Sequence, residues 1–293
     1  MPVAKTKPET TVVRSGRFTL RLPRTEKTID QDQEWFEVEY DGHHRRMRMH
    51  DYASLYRVPG LYEAVVYDRL KCASPPRIVN LLMSVLADWP TDADDLRVLD
   101  FGAGNGIVAT ELRRAGVREI VGLDLISEAE MAARRDHPRA YRDYVVADLT
   151  ELDEGERRRL RAERLNCLVV VAALGFGDIP PDAFATAMNL IRPEGWLGIT
   201  IKETFLSPDD DSGFSRLLRA MINDRIIDVQ AHQRYCHRMS LDGRKLFYYA
   251  IVARKLRDVP SALVEDAVEG QRRDAIKARD GAGLLLGSAA PNA

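Results

Sequence analysis

The chain's 293 residues carry 43 basic and 45 acidic side chains, a formal net charge of −2, and 45% of its residues are hydrophobic. That balance lets the chain bury a sizeable core, and it excludes a disordered polyelectrolyte or a protein that coats nucleic acid by net positive charge. Cys72, Cys167 and Cys236 lie far apart with no CxxC pair, which argues against a disulfide framework or thiolate zinc site and for a reducing, cytoplasmic setting.

Residues 1–16 are polar and aperiodic, as expected of a disordered tail, and they lack the apolar stretch of a secretory leader. No apolar run reaches membrane-spanning length, so no membrane partner is expected. Residues 17–90 read as a cap made of a hairpin and helices. FTLRL and WFEVEY alternate apolar and polar side chains, and Asp41-Gly42 supplies the tight turn of a hairpin over Glu34 to Met49. Its returning strand, HHRRMRM, is polar on both sides and suits a sheet edge. From Asp51 to Trp89 apolar residues recur at helical spacing, interrupted by Pro59 and by Pro75-Pro76, with Ser74 placed to cap the last helix.

Residues 91–256 alternate strand and helix. LRVLDF, EIVGLDL, YVVADL, LNCLVVVAAL and GWLGITIKETF read as buried strands. Between them stand IVATELRRAG, SEAEMAARRD with a Ser127-to-Glu130 capping box, and PDAFATAMNLI. Two further strands flank Leu241-Asp242-Gly243. The fold expected is a doubly wound α/β domain: a mostly parallel seven-stranded sheet ending in an antiparallel hairpin. Residues 257–293 form a C-terminal extension whose end, GAGLLLGSAAPNA, looks frayed.

VLDFGAGNGI, residues 98–107, ends the first of these strands in an acid and then breaks into glycine. In such sheets ligands sit at the carboxyl ends of the strands, against the first glycine turn. The spacing here is G-x-G-x-G, from Gly102, Gly104 and Gly106, whereas a pyrophosphate dinucleotide calls for G-x-G-x-x-G. The carboxylate of Asp100 beside the turn suits a cationic ligand. Asp124 closes the second strand, where it can accept both hydroxyls of a ribose, and Asp148 closes the third, where it can accept from an exocyclic amine.

Together these motifs, over about Arg97 to Arg254, resemble the class I S-adenosylmethionine-dependent methyltransferases. The resemblance implies S-adenosyl-L-methionine as cofactor. Its methionine part would face Asp100, Gly102, Ala103, Gly104 and Gly106, its ribose Asp124, and its adenine Leu125, Asp148 and Leu149, with Ala172 at the end of the fourth strand.

Methyl transfer from a sulfonium needs geometry more than a base, and no conspicuous base is seen. The segment before the first strand offers an aromatic lid. Tyr52 and Tyr56, four apart on one helix face, are the first candidates to act at the reacting centre, with His50 beside them. Tyr62, Tyr67, Leu174, Glu203 and Phe205 are candidates to touch the acceptor. Pro180-Pro181 follows the fourth strand too late for the acid-or-asparagine-Pro-Pro-aromatic signature of base methylation, so nucleic acid is not expected as substrate. No metal site is expected: Asp178 and Glu203 lack a convincing third ligand, Asp209 to Asp211 read as a solvated loop, and His232 and His237 face opposite sides of a strand. The reading is thus an enzyme acting on O, N or S of a small molecule. A protein- or RNA-directed methyltransferase docking through HHRRMRMH and a non-catalytic sensor of the cofactor are the alternatives, and pairing of two copies is left open.

Overall fold

Alternation in the first quarter of the chain does produce one buried face. In this computed structural model, which describes residues 11–14, 16–23, 31–174, 178–207, 210 and 212–286, four antiparallel strands form a sheet in the order β1 (Thr11–Arg14), β2 (Phe18–Leu22), β3 (Trp35–Tyr40) and β4 (His43–Arg48). Most of the expected tail, Asp209 and Asp211 of the acidic run, and residues 287–293 lie outside the described residues. Within the tail, Thr11–Arg14 pairs with β2, for TVVR is rich in β-branched residues and meets an open sheet edge. Asp41 and Gly42 both take positive φ, 51° and 71°, as a two-residue turn between twisted strands requires, and β4 is an edge.

Beneath this sheet lie α1 (Tyr52–Arg57) and α2 (Leu61–Glu63), the latter continuing as a π-turn over Ala64–Arg69. Leu55, Leu61 and Val65 are fully buried against Leu20, Phe36 and Val38, so the cap owns a core. The next helix, α3 (Ser74–Leu86), does not belong to it. Its Ile78, Val79 and Leu82 pack on the main sheet, so by packing the cap ends before residue 74 and not at residue 90. Ser74 is no cap either: the helix starts at Ser74 itself, and its hydroxyl turns inward to Tyr235 and His237.

The main sheet comprises β5 (Arg97–Phe101), β6 (Glu119–Asp124), β7 (Asp143–Val146), β8 (Cys167–Val170), β9 (Trp196–Lys202), β10 (Ile227–Met239) and β11 (Lys245–Lys255). Their order is β10-β11-β9-β8-β5-β6-β7, with β5 to β9 parallel and β11 and β10 antiparallel. Successive side chains go to opposite faces, and both faces are apolar. Leu99, Leu168, Leu197 and Ile199 enter one core, while Val98, Cys167, Val169 and Trp196 enter the other.

Helix α4 (Ile107–Arg114) joins α3 on the second face. Elsewhere lie α5 (Ser127–Asp136), α6 (Glu154–Ala162), α7 (Pro181–Leu190), α8 (Gly213–Asn223) and the C-terminal α9 (Ser261–Leu286), which packs on α7 and α8. Helix α5 starts at Ser127, so the expected capping box is absent; the Ser127 hydroxyl turns to Glu128. A capping box does open α6, from Asp153 and Glu156. The chain order reverses between β5 and β8, which places a crevice at their carboxyl ends.

The cap is fastened across that crevice by charge. Glu34, just before β3, holds Arg238 of β10 at 2.6 Å, with side chains only 1% and 5% exposed, and its other oxygen accepts the Leu241 N–H at 2.6 Å. Two backbone bonds add to the fastening, from Met239 N to the Leu70 carbonyl and from Ala73 N to the His237 carbonyl. Glu34→Ala leaves a buried guanidinium unpaired and should lower stability by about 3–5 kcal/mol in urea titrations, whereas pairing it with Arg238→Met should recover most of the loss. Equal losses in the single and double variants would contradict this.

Candidate functional site

The loop after β5 is built by its neighbours. Gly102, Gly104 and Gly106 all take positive φ, 72°, 53° and 93°, which only glycine adopts without strain. A side chain at Gly104 would also meet the Tyr56 hydroxyl at 2.5 Å, so the lid helix α1 rests directly on this glycine. Gly102 N and Ala103 N donate to the Leu123 carbonyl, Gly106 N donates to the Ala103 carbonyl, and Gly104 N donates to Asp124 at 2.9 Å. With these four amides engaged internally, the loop does not offer the cradle of free N–H groups that a pyrophosphate requires.

Two hollows lie at the crevice. The outer one, about 220 Å³, is lined by Asp124, Leu125, Asp148 and Leu149 from the ends of β6 and β7, and by Ala172, Asp178 and Ile179 from the segment after β8. The inner one, about 70 Å³, runs under the cap past His50, Tyr67, Cys72 and Ser74 to Ala103, Gly104, His237 and Arg238. They share Tyr52, Tyr56, Tyr62, Gly102, Val171 and Ala172, which thus form a collar between them. Tyr52 stacks on Tyr56 with centroids 6.2 Å apart, and Tyr56 lies 5.0 Å from Tyr62. Ala172 holds a left-handed φ of 57°, with its N–H donated to Thr200 at 2.8 Å; strained backbone of this kind concentrates at working sites.

The outer hollow is negative. Three carboxylates, Asp124, Asp148 and Asp178, line it, and no Lys, Arg or His does so among the described residues. Asp124 accepts from Gly104 N and, at 3.2 Å, from Ile126 N, so each oxygen keeps a lone pair for a ligand hydroxyl. Burial raises its carboxyl above the ordinary value against those bonds. Asp148 accepts twice from Thr150 through Oδ1, which makes it a turn former and leaves Oδ2 open. Leu125 is 59% exposed at the rim, an apolar surface for a flat ring.

Several expected residues fall elsewhere. Asp100 does not line either hollow: on β5 it points to the face under the loop, fully buried, where Oδ2 accepts from the Tyr141 hydroxyl at 2.7 Å and Oδ1 has no partner. Gly106 caps α4 and lines neither hollow. Leu174 turns into the core beside Phe184, Glu203 is drawn 2.7 Å from Arg234, and Phe205 packs against the same core with its carbonyl held by Ser215. Gly175 to Gly177, next to Leu174, lie outside the described residues. His50 does line the inner hollow, with Nδ1 3.6 Å from Asp178. No cluster of three His, Cys, Asp or Glu side chains able to hold a metal occurs among the described residues.

Sequence reasoning missed Tyr141 and Tyr144, whose hydroxyls brace the loop at Asp100 and at the Gly104 carbonyl, and Glu63, which joins the lid to Asn105 and His137 at 3.0 and 2.8 Å. The only signal was a pair of tyrosines around the start of the third strand. It also missed Gln31, Cys72 and Ser74, which carry no motif.

The chain matches the methyltransferase-domain family over residues 76–242. A ribosomal protein L11 methyltransferase of Pasteurella multocida is 31% identical over 111 residues, 37% of this chain and 34% of that protein. The counterpart in Haemophilus influenzae is 29% identical over 109 residues, so the match spans about a third of these relatives' length. Similar solved structures include the CcbJ methyltransferase of Streptomyces caelestis, at 16% identity over 69% of this chain and 98% of that one with a TM-score of 0.44. Another is the N-methyltransferase NodS of Bradyrhizobium japonicum with S-adenosyl-L-homocysteine, at 14% identity over 61% and 85% of the two chains with a TM-score of 0.42.

Burial raises the Asp100 carboxyl to about 7, with nearby Asp124 adding to the rise and the Tyr141 bond opposing it. The folded state then binds this proton more tightly than the unfolded chain, so the group favours folding below about pH 4 and that contribution is lost as pH climbs through about 7. Between pH 5 and pH 8 the wild type should lose roughly 1–3 kcal/mol more stability than Asp100→Asn, measured by urea denaturation of the ligand-free protein. Parallel pH profiles would contradict this.

Proposed function

The chain belongs to the methyltransferase-domain family, and on that premise we propose that the outer hollow holds S-adenosyl-L-methionine while the inner hollow holds a small-molecule methyl acceptor. The observation that carries the reading is the outer hollow's charge: three acids and no base, beside a loop whose amides are engaged, favour a cationic nucleoside over a phosphate-bearing one.

The residues fit the cofactor group by group. Asp124 has lone pairs for two ribose hydroxyls, Leu125 and Leu149 offer apolar faces to the adenine, and Asp148 Oδ2 is open to an amine. When bound, S-adenosyl-L-methionine supplies a methyl group made electrophilic by its sulfonium. Tyr52, Tyr56 and Tyr62 present aromatic faces to a cation at the collar and exclude water from it. Burial holds all three hydroxyls protonated, so they act as hydrogen-bonding walls and not as bases. Alignment of the two reactants across the collar can account for roughly 7–11 kcal/mol of barrier lowering.

A protein acceptor is the second reading, suggested by the name of the curated relatives. In that case the exposed strand β4 would dock the substrate, and reversing the charge of Arg45, Arg46 and Arg48 should abolish transfer to the protein while sparing small acceptors.

Asp124→Ala is expected to weaken S-adenosyl-L-homocysteine binding by about 100-fold in calorimetry, since hydrogen bonds to a charged acceptor contribute roughly 1.5–3 kcal/mol each. Near-normal affinity would place the ribose elsewhere.

A further inference from the structure

The inner hollow has its own chemistry. His237 is 4% exposed, and its ring stacks on Tyr248 with centroids 4.0 Å apart. Nδ1 lies 2.6 Å from Ser74 Oγ, which lies 2.5 Å from the Tyr235 hydroxyl, and the Cys72 thiol approaches Nδ1 at 3.8 Å. In the tautomer in which Nδ1–H donates to Ser74 and Ser74 donates to Tyr235, Nε2 carries the lone pair, and it has no hydrogen-bond partner among the described residues. Across the hollow, Gln31 engages the Tyr248 hydroxyl through one end of its amide at 3.0 Å, and the other end is buried without a partner. A polar hollow with two unengaged acceptors, His237 Nε2 and Gln31 Oε1, is built for a ligand that brings a hydrogen-bond donor.

The charges around it cancel. Arg238 is matched by Glu34. Burial pushes the Cys72 thiol up to about 11, holds the Tyr67 and Tyr235 hydroxyls protonated, and raises Tyr248 to about 12. Burial, with the Arg238 charge second, keeps the His237 imidazole well below its usual range and therefore neutral. A carboxylate or an ammonium ion entering this hollow would be desolvated with no opposite charge free to receive it.

We propose that the inner hollow accepts an uncharged hydroxyl compound, a phenol or alcohol, and that His237 Nε2 takes the hydroxyl proton during methyl transfer. The inference rests on the placement of the cofactor in the outer hollow. As the acceptor oxygen bonds to the methyl carbon, the carbon–sulfur bond breaks with its electron pair kept by sulfur. The O–H bond pair stays on oxygen, the proton passes to Nε2, and solvent removes it once the product has left. The positive charge lost from sulfur thus reappears as that proton. Because the imidazole must be neutral to accept it, and its proton affinity is already depressed, transfer rates should hold through the ordinary histidine range and fall only below it.

The probes are phenol, benzoate and benzylamine, titrated calorimetrically into the full chain saturated with S-adenosyl-L-homocysteine, together with nitrogen-15 NMR of the imidazoles. Phenol should bind at least about tenfold more tightly than either ion, shift the His237 ring resonances, and bind more weakly to His237→Gln, which should still bind S-adenosyl-L-homocysteine as the wild type does. No phenol binding, equal binding of the ions, or phenol binding with the His237 resonances unmoved would overturn the inference and leave the cofactor assignment standing. Failure of the wild type to bind S-adenosyl-L-homocysteine would overturn the assignment on which it rests.

Discussion

A single buried ion pair sets the geometry of the site. Glu34 belongs to the cap and Arg238 to the strand β10 at the far edge of the main sheet, and neither side chain reaches water. Such a pair contributes little net stability beyond an apolar substitute, but either half alone is costly. It therefore fixes where the cap must sit. With the cap in that position, α1 and α2 bring their tyrosines over the glycine loop, and the crevice between β5 and β8 is divided into two hollows. Apolar contact also joins the cap to the main domain, where Tyr56 packs with Ala129, Ala132 and Ala133 of α5, and the polar fastening adds a direction that apolar contact alone would not supply.

The two hollows divide the electrostatic work. The outer one collects carboxylates because the neighbouring parallel strands β6 and β7 end there in Asp124 and Asp148, on one rim, and the segment after β8 adds Asp178. The inner one is polar but charge-matched, since Arg238 in its wall is paired with Glu34 and His237 is held neutral by burial. A cation is favoured on one side of the collar and an uncharged partner on the other. That asymmetry suits an in-line transfer from sulfonium to a neutral nucleophile, in which the charge stays with the cofactor until the methyl group crosses the collar.

Much of this was legible in the sequence. Apolar runs alternating with helical stretches gave the parallel sheet, Asp41-Gly42 gave the first hairpin, and acids closing successive strands gave Asp124 and Asp148 their places on one rim. What failed did so for local reasons. Ser74 and Ser127 sit one residue inside their helices and so could not cap them. Leu174, Glu203 and Phe205 follow strand ends, but sequence adjacency does not say which way a side chain turns, and core packing and Arg234 claimed them. Asp100 points beneath the loop and not into the hollow. The inner hollow was not legible at all: Gln31 and Cys72 of the cap and Ser74 at the start of α3 meet His237 and Tyr248 only because these segments pack against the last hairpin, more than 160 residues away in the chain.

The most direct test of this division is a crystal structure of the complex with S-adenosyl-L-homocysteine. The account predicts the ribose on Asp124, the adenine beside Leu125 and Leu149, and the thioether sulfur at the collar of Tyr52, Tyr56 and Tyr62, facing inward. A ribose seated away from Asp124, or a sulfur directed outward past Asp178 to solvent, would contradict it.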